Sequence, residues 1–352
     1  MYNDEGSQYL VRVGIGNPIQ NFTVALDTGS SDLWVPSVHC PVHQCPFKRF
    51  DPQKSNTFQG NVSQEEFSIN YGVGSVRGEY GQDSVYLEGA HVSNQVFGMA
   101  SFTQDIIHLA NTDQKANGIF GLGYPSLSSN AQHLPFIFQL IDRHLIDRPM
   151  FAISMGSVDE PGWAGEIVLG GVNKERFQGP IHYVSVGEGG SEANKTYWMV
   201  SGQGIQVTGP NGSTVMNSSF ERDIILDTGT TLTYMDRALV DNLVGALSPH
   251  VKLFFDAASQ TYLGDCQAIA QTEHRLQILL ERGLVLNVPV RDLLIPLEGD
   301  HCLFGIAPWM KTQPSQKMEN KGWIMLGDSV LRSIYLVFDM ENHQVGFAEV
   351  FL

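Results

Sequence analysis

Two short stretches carry residues able to do chemistry together. In the first, the strand-like run Phe22–Leu26 leads into Asp27-Thr28-Gly29-Ser30-Ser31. In the second, Ile224-Ile225-Leu226 leads into Asp227-Thr228-Gly229-Thr230-Thr231, with the two aspartates 200 positions apart. An aspartate at the end of a buried strand is unfavourable unless it is hydrogen-bonded. A neighbouring glycine lets backbone N–H groups approach, and Ser or Thr hydroxyls satisfy the remaining lone pairs. Two such loops meeting face to face would share one proton, because like charges that close cannot both ionise. The pair could hold a water, deprotonate it and protonate a leaving amine. A single Asp-Thr-Gly is an ordinary turn. Two copies with matched apolar lead-ins point beyond the turn, since internal repetition is itself a fold signal.

The elements that must position these acids repeat as well. Gly118-Ile119-Phe120-Gly121-Leu122-Gly123-Tyr124 follows the first acid loop, and Trp323-Ile324-Met325-Leu326-Gly327-Asp328-Ser329 follows the second. Gly121 lies 94 residues past Asp27 and Gly327 lies 100 past Asp227. Each half thus has an acid loop and then, after a similar length of chain, an apolar-apolar-Gly element, which predicts two homologous lobes. The expected boundary divides residues 1–178, with the first acid, from residues 179–352, with the second. A length of 352 residues suits two lobes of about 170 residues each.

These stretches resemble a pepsin-type aspartic protease across essentially the whole chain. The resemblance rests on Asp27 to Pro36, Asn70-Tyr71-Gly72-Val73-Gly74-Ser75, Gly118 to Pro125, Leu226 to Thr231, Leu326-Gly327-Asp328 and Val337-Phe338-Asp339. Asn287 to Pro296 resembles fungal members more than gastric ones. The resemblance implies a mainly β, bilobal acid protease fold: two homologous β-barrel-like lobes, a cleft between them and a few short helices. It implies an aspartic endopeptidase with Asp27 and Asp227 as catalytic pair. Ser30 and Thr230 would bond the carboxylates, and Thr28 and Thr228 would lock the loops together beneath them. Tyr71 resembles the tyrosine of a mobile flap and Trp34 its hydrogen-bonding partner. Gly72, Val73 and Gly74, with Gly29 and Gly229, would bind an extended peptide as an added strand. Ala25, Tyr71, Ile119, Ile225 and Thr230 would line the first side-chain pocket, and Thr231 would also touch substrate. The family implies no cofactor and no metal, polypeptide substrates bound in extended form, pepstatin-like peptide inhibitors and a monomer.

Some residues depart from the family pattern. Val73 stands where many relatives carry Thr, Ser or Asp, so no flap acid would favour a basic residue before the cut. Ala25 replaces a larger aliphatic residue, and Lys115-Ala116-Asn117 stands where an aromatic followed by Asp is frequent. The expected first pocket is therefore roomy, apolar and without an acid. Inactive relatives usually lose an Asp, the adjacent Gly or the flap tyrosine. All are present here, which weighs against the alternative, a catalytically inactive pepsin-like protein that binds peptides or proteins. A homodimeric retroviral-type protease is excluded because one chain holds both halves.

Composition narrows the setting. Hydrophobic residues make up 42% and charged residues 16%, as in a well-folded globular chain. A net charge of −16 argues against nucleic acid as partner and fits work in acid, where protonated carboxylates repel one another less. No run of 18 apolar residues occurs, so no membrane-spanning helix is expected. The polar start Met1-Tyr2-Asn3-Asp4-Glu5 is not a leader. The family is made as a zymogen with a leader and a propeptide, so the sequence reads as a mature or trimmed chain. Five Asn-X-Ser/Thr triplets, at Asn21, Asn61, Asn194, Asn211 and Asn217, favour a secreted glycoprotein, with a vacuole or lysosome as the other location. Under export, Cys40, Cys45, Cys266 and Cys302 read as two disulfides, Cys40–Cys45 and Cys266–Cys302. His39, Cys40, His43 and Cys45 could be written as a zinc cluster, but their spacing matches no regular zinc site.

Hydropathy places further elements. Tyr9–Val13 reads as a strand and Asn17–Asn21 as a hairpin tip. Phe67–Val92 reads as two long strands around the Tyr71–Val76 tip. Leu134–Ile146 and Asp236–Leu247 read as helices, and Thr208–Ser219 as a loop, like Gly187–Thr196. His274–Gly283 has a helical-looking composition, but the family resemblance implies that it pairs as a strand with Leu284–Val290; Tyr335–Asp339 and Gln344–Val350 read as closing strands.

Overall fold

Tyr9 to Ile15 buries every residue but Arg12, and such apolar runs become strands almost throughout the chain. The computed structural model describes residues 1–60, 62–107, 114–130, 132–187, 195–297, 299–309 and 322–351. It is mainly β. The chain forms two compact units, Met1–Asp4, Tyr9–Arg148 and Gly189–Tyr197 in the first and Glu5–Gln8, Pro149–Glu188 and Trp198–Leu352 in the second.

The first unit is built on strands β1 (Tyr2–Asn3), β2 (Tyr9–Ile15), β3 (Gln20–Asp27), β4 (Leu33–Pro36), β5 (Phe67–Asn70), β6 (Ser75–Leu87), β7 (Ala90–Gln104) and β8 (Ile119–Gly121). They form one sheet in the order β1-β2-β3-β8-β4-β7-β6-β5. Strand β8 runs parallel to β3 and antiparallel to β4, and β4 runs parallel to β7. The buried residues Trp34, Phe67, Val76, Tyr80 and Ala100 pack together, with Ile69, Tyr71, Ile106, Ile107 and Ile119 against them. Helix α1 (Phe136–Asp142) buries Phe136, Ile137 and Leu140.

The second unit begins with β9 (Met150–Ser154), β10 (Glu166–Leu169), β11 (Phe177–Ser185), β12 (Met199–Thr208), β13 (Thr214–Leu226) and β14 (Thr233–Met235). Strands β15 (Leu253–Asp256), β16 (Thr261–Asp265), β17 (Arg275–Leu280), β18 (Val285–Pro289), β19 (Leu294–Pro296) and β20 (His301–Phe304) follow. The last are β21 (Ile306–Pro308), β22 (Ile324–Leu326), β23 (Ile334–Asp339) and β24 (Gln344–Val350). They make three sheets, ordered β18-β17-β12-β13-β22-β14-β21, β10-β9-β23-β24-β11 and β15-β16-β20-β19. Helices α2 (Arg237–Leu247), α3 (Cys266–Ala270) and α4 (Asp328–Leu331) complete it. Phe338 stacks on Phe151 at 4.6 Å and meets Trp198 edge-on at 5.0 Å.

The duplication read from the acid loops extends to topology. The segment β13-β22-β14-β21 has the same pairing senses as β3-β8-β4-β7: parallel, antiparallel, parallel.

Several local expectations change. Residues 149–178, placed with the first lobe by the boundary at 178, group with the second unit. The reason is that β9 pairs with β23 from Met150↔Asp339 to Leu336↔Ile153. Thr208–Ser219 is not a loop: β13 starts at Thr214 and pairs with β12, so only 209–213 form the turn. The helix expected over 134–146 is only seven residues long, because Pro135 sets its start and His144 takes a left-handed φ of 53°. Between Phe67 and Val92 a short β5 and a long β6 flank the tip, and a third strand, β7, begins at Ala90. Gly187–Thr196 lies largely outside the described residues. Helix α2 forms as expected, capped by Asp236, whose carboxylate accepts from Leu239 N at 3.0 Å. The pairing of β17 with β18 also forms.

Candidate active site

Each acid stands where a strand ends and its loop turns back beneath it. In the first unit Asp27 pairs in register with Gly121, and its carbonyl accepts from Leu122 N at 2.7 Å. A methyl at Gly121 would sit 2.4 Å from the Ser31 carbonyl carbon, so only glycine lets β8 pass this close. In the second unit Asp227 N donates to Leu326 O at 3.0 Å. A methyl at Gly327 would lie 2.3 Å from Leu232 O and 2.4 Å from Thr230 O. The apolar-apolar-Gly elements are therefore the strands on which the acid loops rest.

The carboxylates have matched partners. Gly29 N donates to Asp27 Oδ1 at 2.8 Å, and the Ser30 hydroxyl donates to Oδ2. Gly229 N donates to Asp227 Oδ1 at 2.9 Å, and Thr230 Oγ1 donates to Oδ2 at 2.7 Å. Asp27 is 5% and Asp227 7% exposed. Each buried carboxylate thus accepts a backbone and a hydroxyl bond from its own loop. Thr28 and Thr228 are both buried.

The turn between β5 and β6 is closed by Tyr71 N donating to Gly74 O at 3.0 Å. Gly74 has a φ of 84°, and a methyl there would strike Gln104 O at 2.2 Å. Among the described residues the N–H groups of Gly72 and Val73 make no hydrogen bond, and Val73 is 58% exposed. At the base of the turn, Trp34 Nε1 donates to the Tyr71 hydroxyl oxygen at 2.8 Å. Trp34 is fully buried, so this indole N–H has its partner inside the core. Burial, and next the nearby Asp27 charge, hold the Tyr71 hydroxyl well above the usual phenol range. Tyr71 therefore stays neutral beside the acid.

With this geometry, the sequence matches the eukaryotic aspartyl protease family over residues 8–350. The chain belongs to the pepsin-type aspartyl protease family. It is 33% identical over 349 residues to cathepsin E-A of Xenopus laevis, covering 97% of this chain and 79% of that one. It is 33% identical over 349 residues to cathepsin E of Mus musculus (97% and 80%). It is 30% identical over 353 residues to pepsin II-2/3 of Oryctolagus cuniculus (99% and 82%).

This aspartyl protease holds several of the expected site residues in contacts of their own. Ile225 is 0% exposed, held in β13 between Met199 and Met325. The Thr231 hydroxyl donates to Ser7 O. The N–H groups of Gly29 and Gly229 donate to their own carboxylates. Ile119 is half-buried against Trp34 and its neighbours.

The hydroxyl groups around Asp32 were not singled out in the sequence. Asp32 accepts from Ser128 Oγ at 2.7 Å, Ser129 N at 2.9 Å and Ser129 Oγ at 3.1 Å. Ser129 Oγ also pairs with the Tyr80 hydroxyl at 2.6 Å, and burial pushes Tyr80 up to about 12. The only sequence sign of this cluster is the hydroxyl-rich Ser126-Leu127-Ser128-Ser129, about a hundred residues from Asp32. In the second unit Ser329 Oγ donates to Gly305 O at 2.7 Å, which ties α4 to the strand beside the acid loop.

Both disulfides form, Cys40–Cys45 and Cys266–Cys302. The sulfurs of Cys40 and Cys45 are bonded to each other, so the zinc arrangement with His39 and His43 does not arise. Among the described residues no helix is long and apolar enough to cross a membrane.

Proposed function

We propose that Asp27 and Asp227 act as one catalytic dyad in this aspartic endopeptidase, with a water between them as nucleophile. The observation that supports this most is the matched scaffold: Gly N–H to Oδ1 and hydroxyl to Oδ2 on both carboxylates. The dyad holds one proton. The ionised carboxylate takes a proton from the water as its oxygen bonds to the scissile carbonyl carbon. The protonated carboxyl gives its proton to the carbonyl oxygen, so the tetrahedral species is a neutral gem-diol. Its collapse breaks the C–N bond, the amine nitrogen takes up a proton, and the dyad again holds one. No acyl-enzyme forms.

Gly72 and Val73 offer free N–H groups to an extended peptide, which would bind as an added strand. Such backbone pairing accepts many sequences. Selectivity falls to the pocket walls, Ala25, Tyr71, Ile119 and Thr230, none of them acidic, so apolar residues are favoured around the cut. Asp32, held by Ser128 and Ser129, is not free to receive a basic side chain. Activity belongs to acid, because loss of the shared proton ends it. The same reading makes the protein a monomer, without nucleic-acid or membrane partners, that takes pepstatin-like inhibitors. The five Asn-X-Ser/Thr triplets and the two disulfides support secretion, or delivery to a vacuole or lysosome. The fungal-like subtype rests on Asn287–Pro296 alone.

The test is replacement of either acid. Asp27→Asn and Asp227→Asn should each abolish acid proteolysis of casein or haemoglobin while retaining the circular dichroism of the parent. Near-normal kcat/KM in either variant sinks the dyad. An inactive parent that still binds peptides would support the binding-protein alternative.

A further inference from the structure

Of the three Asn-X-Ser/Thr triplets among the described residues, we infer that Asn211 is the one built as an N-glycan acceptor. It sits at the tip of the hairpin joining β12 to β13, where Thr208 pairs with Thr214. The turn is closed by Gly209 N to Ser213 O and Gly212 N to Gly209 O, each 2.9 Å. Pro210 to Thr214 are all exposed. Gly212, the middle residue of the triplet, has open space where a side chain would project.

The side chains are arranged for the chemistry. Asn211 Oδ1 accepts from Ser213 N at 3.1 Å and from Ser213 Oγ at 2.6 Å. Its Nδ2, the atom to be glycosylated, has no partner among the described residues. The serine hydroxyl that a transferase reads is thus already beside the acceptor amide. In the reaction Nδ2 attacks C1 of an oligosaccharide carried on a lipid diphosphate. The C1–Nδ2 bond forms as the C1–O bond breaks. The lipid diphosphate leaves with the electron pair, and one amide proton passes to a base of the transferase.

The other described triplets are less suited. Asn21 lies within β3, its neighbour Phe22 is buried, and the Thr23 hydroxyl donates to Gln114. Asn217 stands in mid-strand opposite Gln206, whose amide donates to its Oδ1 at 3.2 Å. That pair continues a row of amides in which Gln277 Nε2 donates to Asn287 Oδ1 at 2.7 Å. Asn61 and Asn194 lie outside the described residues.

The inference rests on the secretory routing proposed above, and the experiment separates the two. The full chain is expressed behind a foreign leader in a eukaryotic secretory host, which fixes the route. The secreted protein is released from glycan by peptide-N-glycosidase in 18O-water, and the tagged Asp positions are mapped by mass spectrometry. The expected result is a tag at 211 in most molecules and lower occupancy at 21 and 217. Asn211→Gln and Ser213→Ala should each remove one glycan step on a gel, Ser213→Thr should keep it, and Asn217→Gln should not change the 211 tag. Secreted protein with Asn211 untagged, whether bare or glycosylated at 21 or 217 instead, overturns the assignment. The natural route is read separately, from whether protein from its own source is cell-bound or released.

Discussion

The Trp34–Tyr71 bond offers a quantitative test of the flap reading. Trp34→Phe removes the donor to Tyr71. A net hydrogen bond of about 0.5–1.5 kcal/mol corresponds to a loss of about 2- to 10-fold in kcat/KM, at ~1.4 kcal/mol per tenfold. The same change leaves a void of about one water, ~30 Å³, in a core where Trp34 is fully buried. At ~24 cal/mol per Å³ that lowers stability by about 0.7 kcal/mol. Tyr71→Phe is harsher, because it strands the buried indole N–H at a cost of about 1–3 kcal/mol, or about 5- to 100-fold. The double variant has no stranded donor, so it should resemble Trp34→Phe and not the product of the two losses. The Tyr71 hydroxyl is held well above its usual range by burial and by Asp27, so it is neutral in acid and at neutral pH. Neither variant should therefore move a limb of the pH profile. The assay is kcat/KM on a fluorogenic peptide across acid pH, with urea unfolding beside it. Additive losses in the double variant, or a displaced pH limb in Tyr71→Phe, would refute the positioning role.

Further expectations concern stability, specificity and acid. Replacing Cys266 and Cys302, separated by 36 residues, should lower stability by about 4 kcal/mol on chain-entropy grounds. Opening Cys40–Cys45, separated by 5, should lower it by about 2 kcal/mol; equal shifts in urea midpoint would contradict this. Val73→Asp should raise kcat/KM for peptides with Lys before the cut and leave Leu and Phe peptides within a few-fold, and a parent enzyme that already prefers Lys would defeat the pocket reading. Burial alone would raise the Asp339 carboxyl, but bonds from the Asn342 side chain and backbone and from Gln344 outweigh it and hold the carboxyl low. A depressed folded value stabilises above the unfolded value and is lost as pH falls through the folded one. Asp339→Asn should therefore be less stable than the parent near neutral pH and converge with it in strong acid, as followed by urea midpoints.

The residues themselves determined much of this protein. The two Asp-Thr-Gly loops, the two later glycines and the cysteine pairs are legible because each rests on a side chain, or its absence, that few others could replace. Gly121 and Gly327 are needed wherever a strand must pass within van der Waals contact of an acid loop, and that requirement survives any change in their surroundings. The tertiary structure decided what hydropathy cannot carry. Thr208 to Ser219 is polar and reads as a loop, yet from Thr214 onward its backbone groups pair with β12, and that partner is fixed by register. That Ile225 is fully buried follows from the pairing of β13 on both sides, with Met199 and Met325, which no local pattern shows. Thr231 is turned to Ser7 by chain more than two hundred residues away. The partners of Asp32 are not legible in the sequence because its three donors, on Ser128 and Ser129, come from a distant loop. Local chemistry wrote the acids and their glycines; long-range pairing determined which neighbouring side chains remain free to meet a substrate.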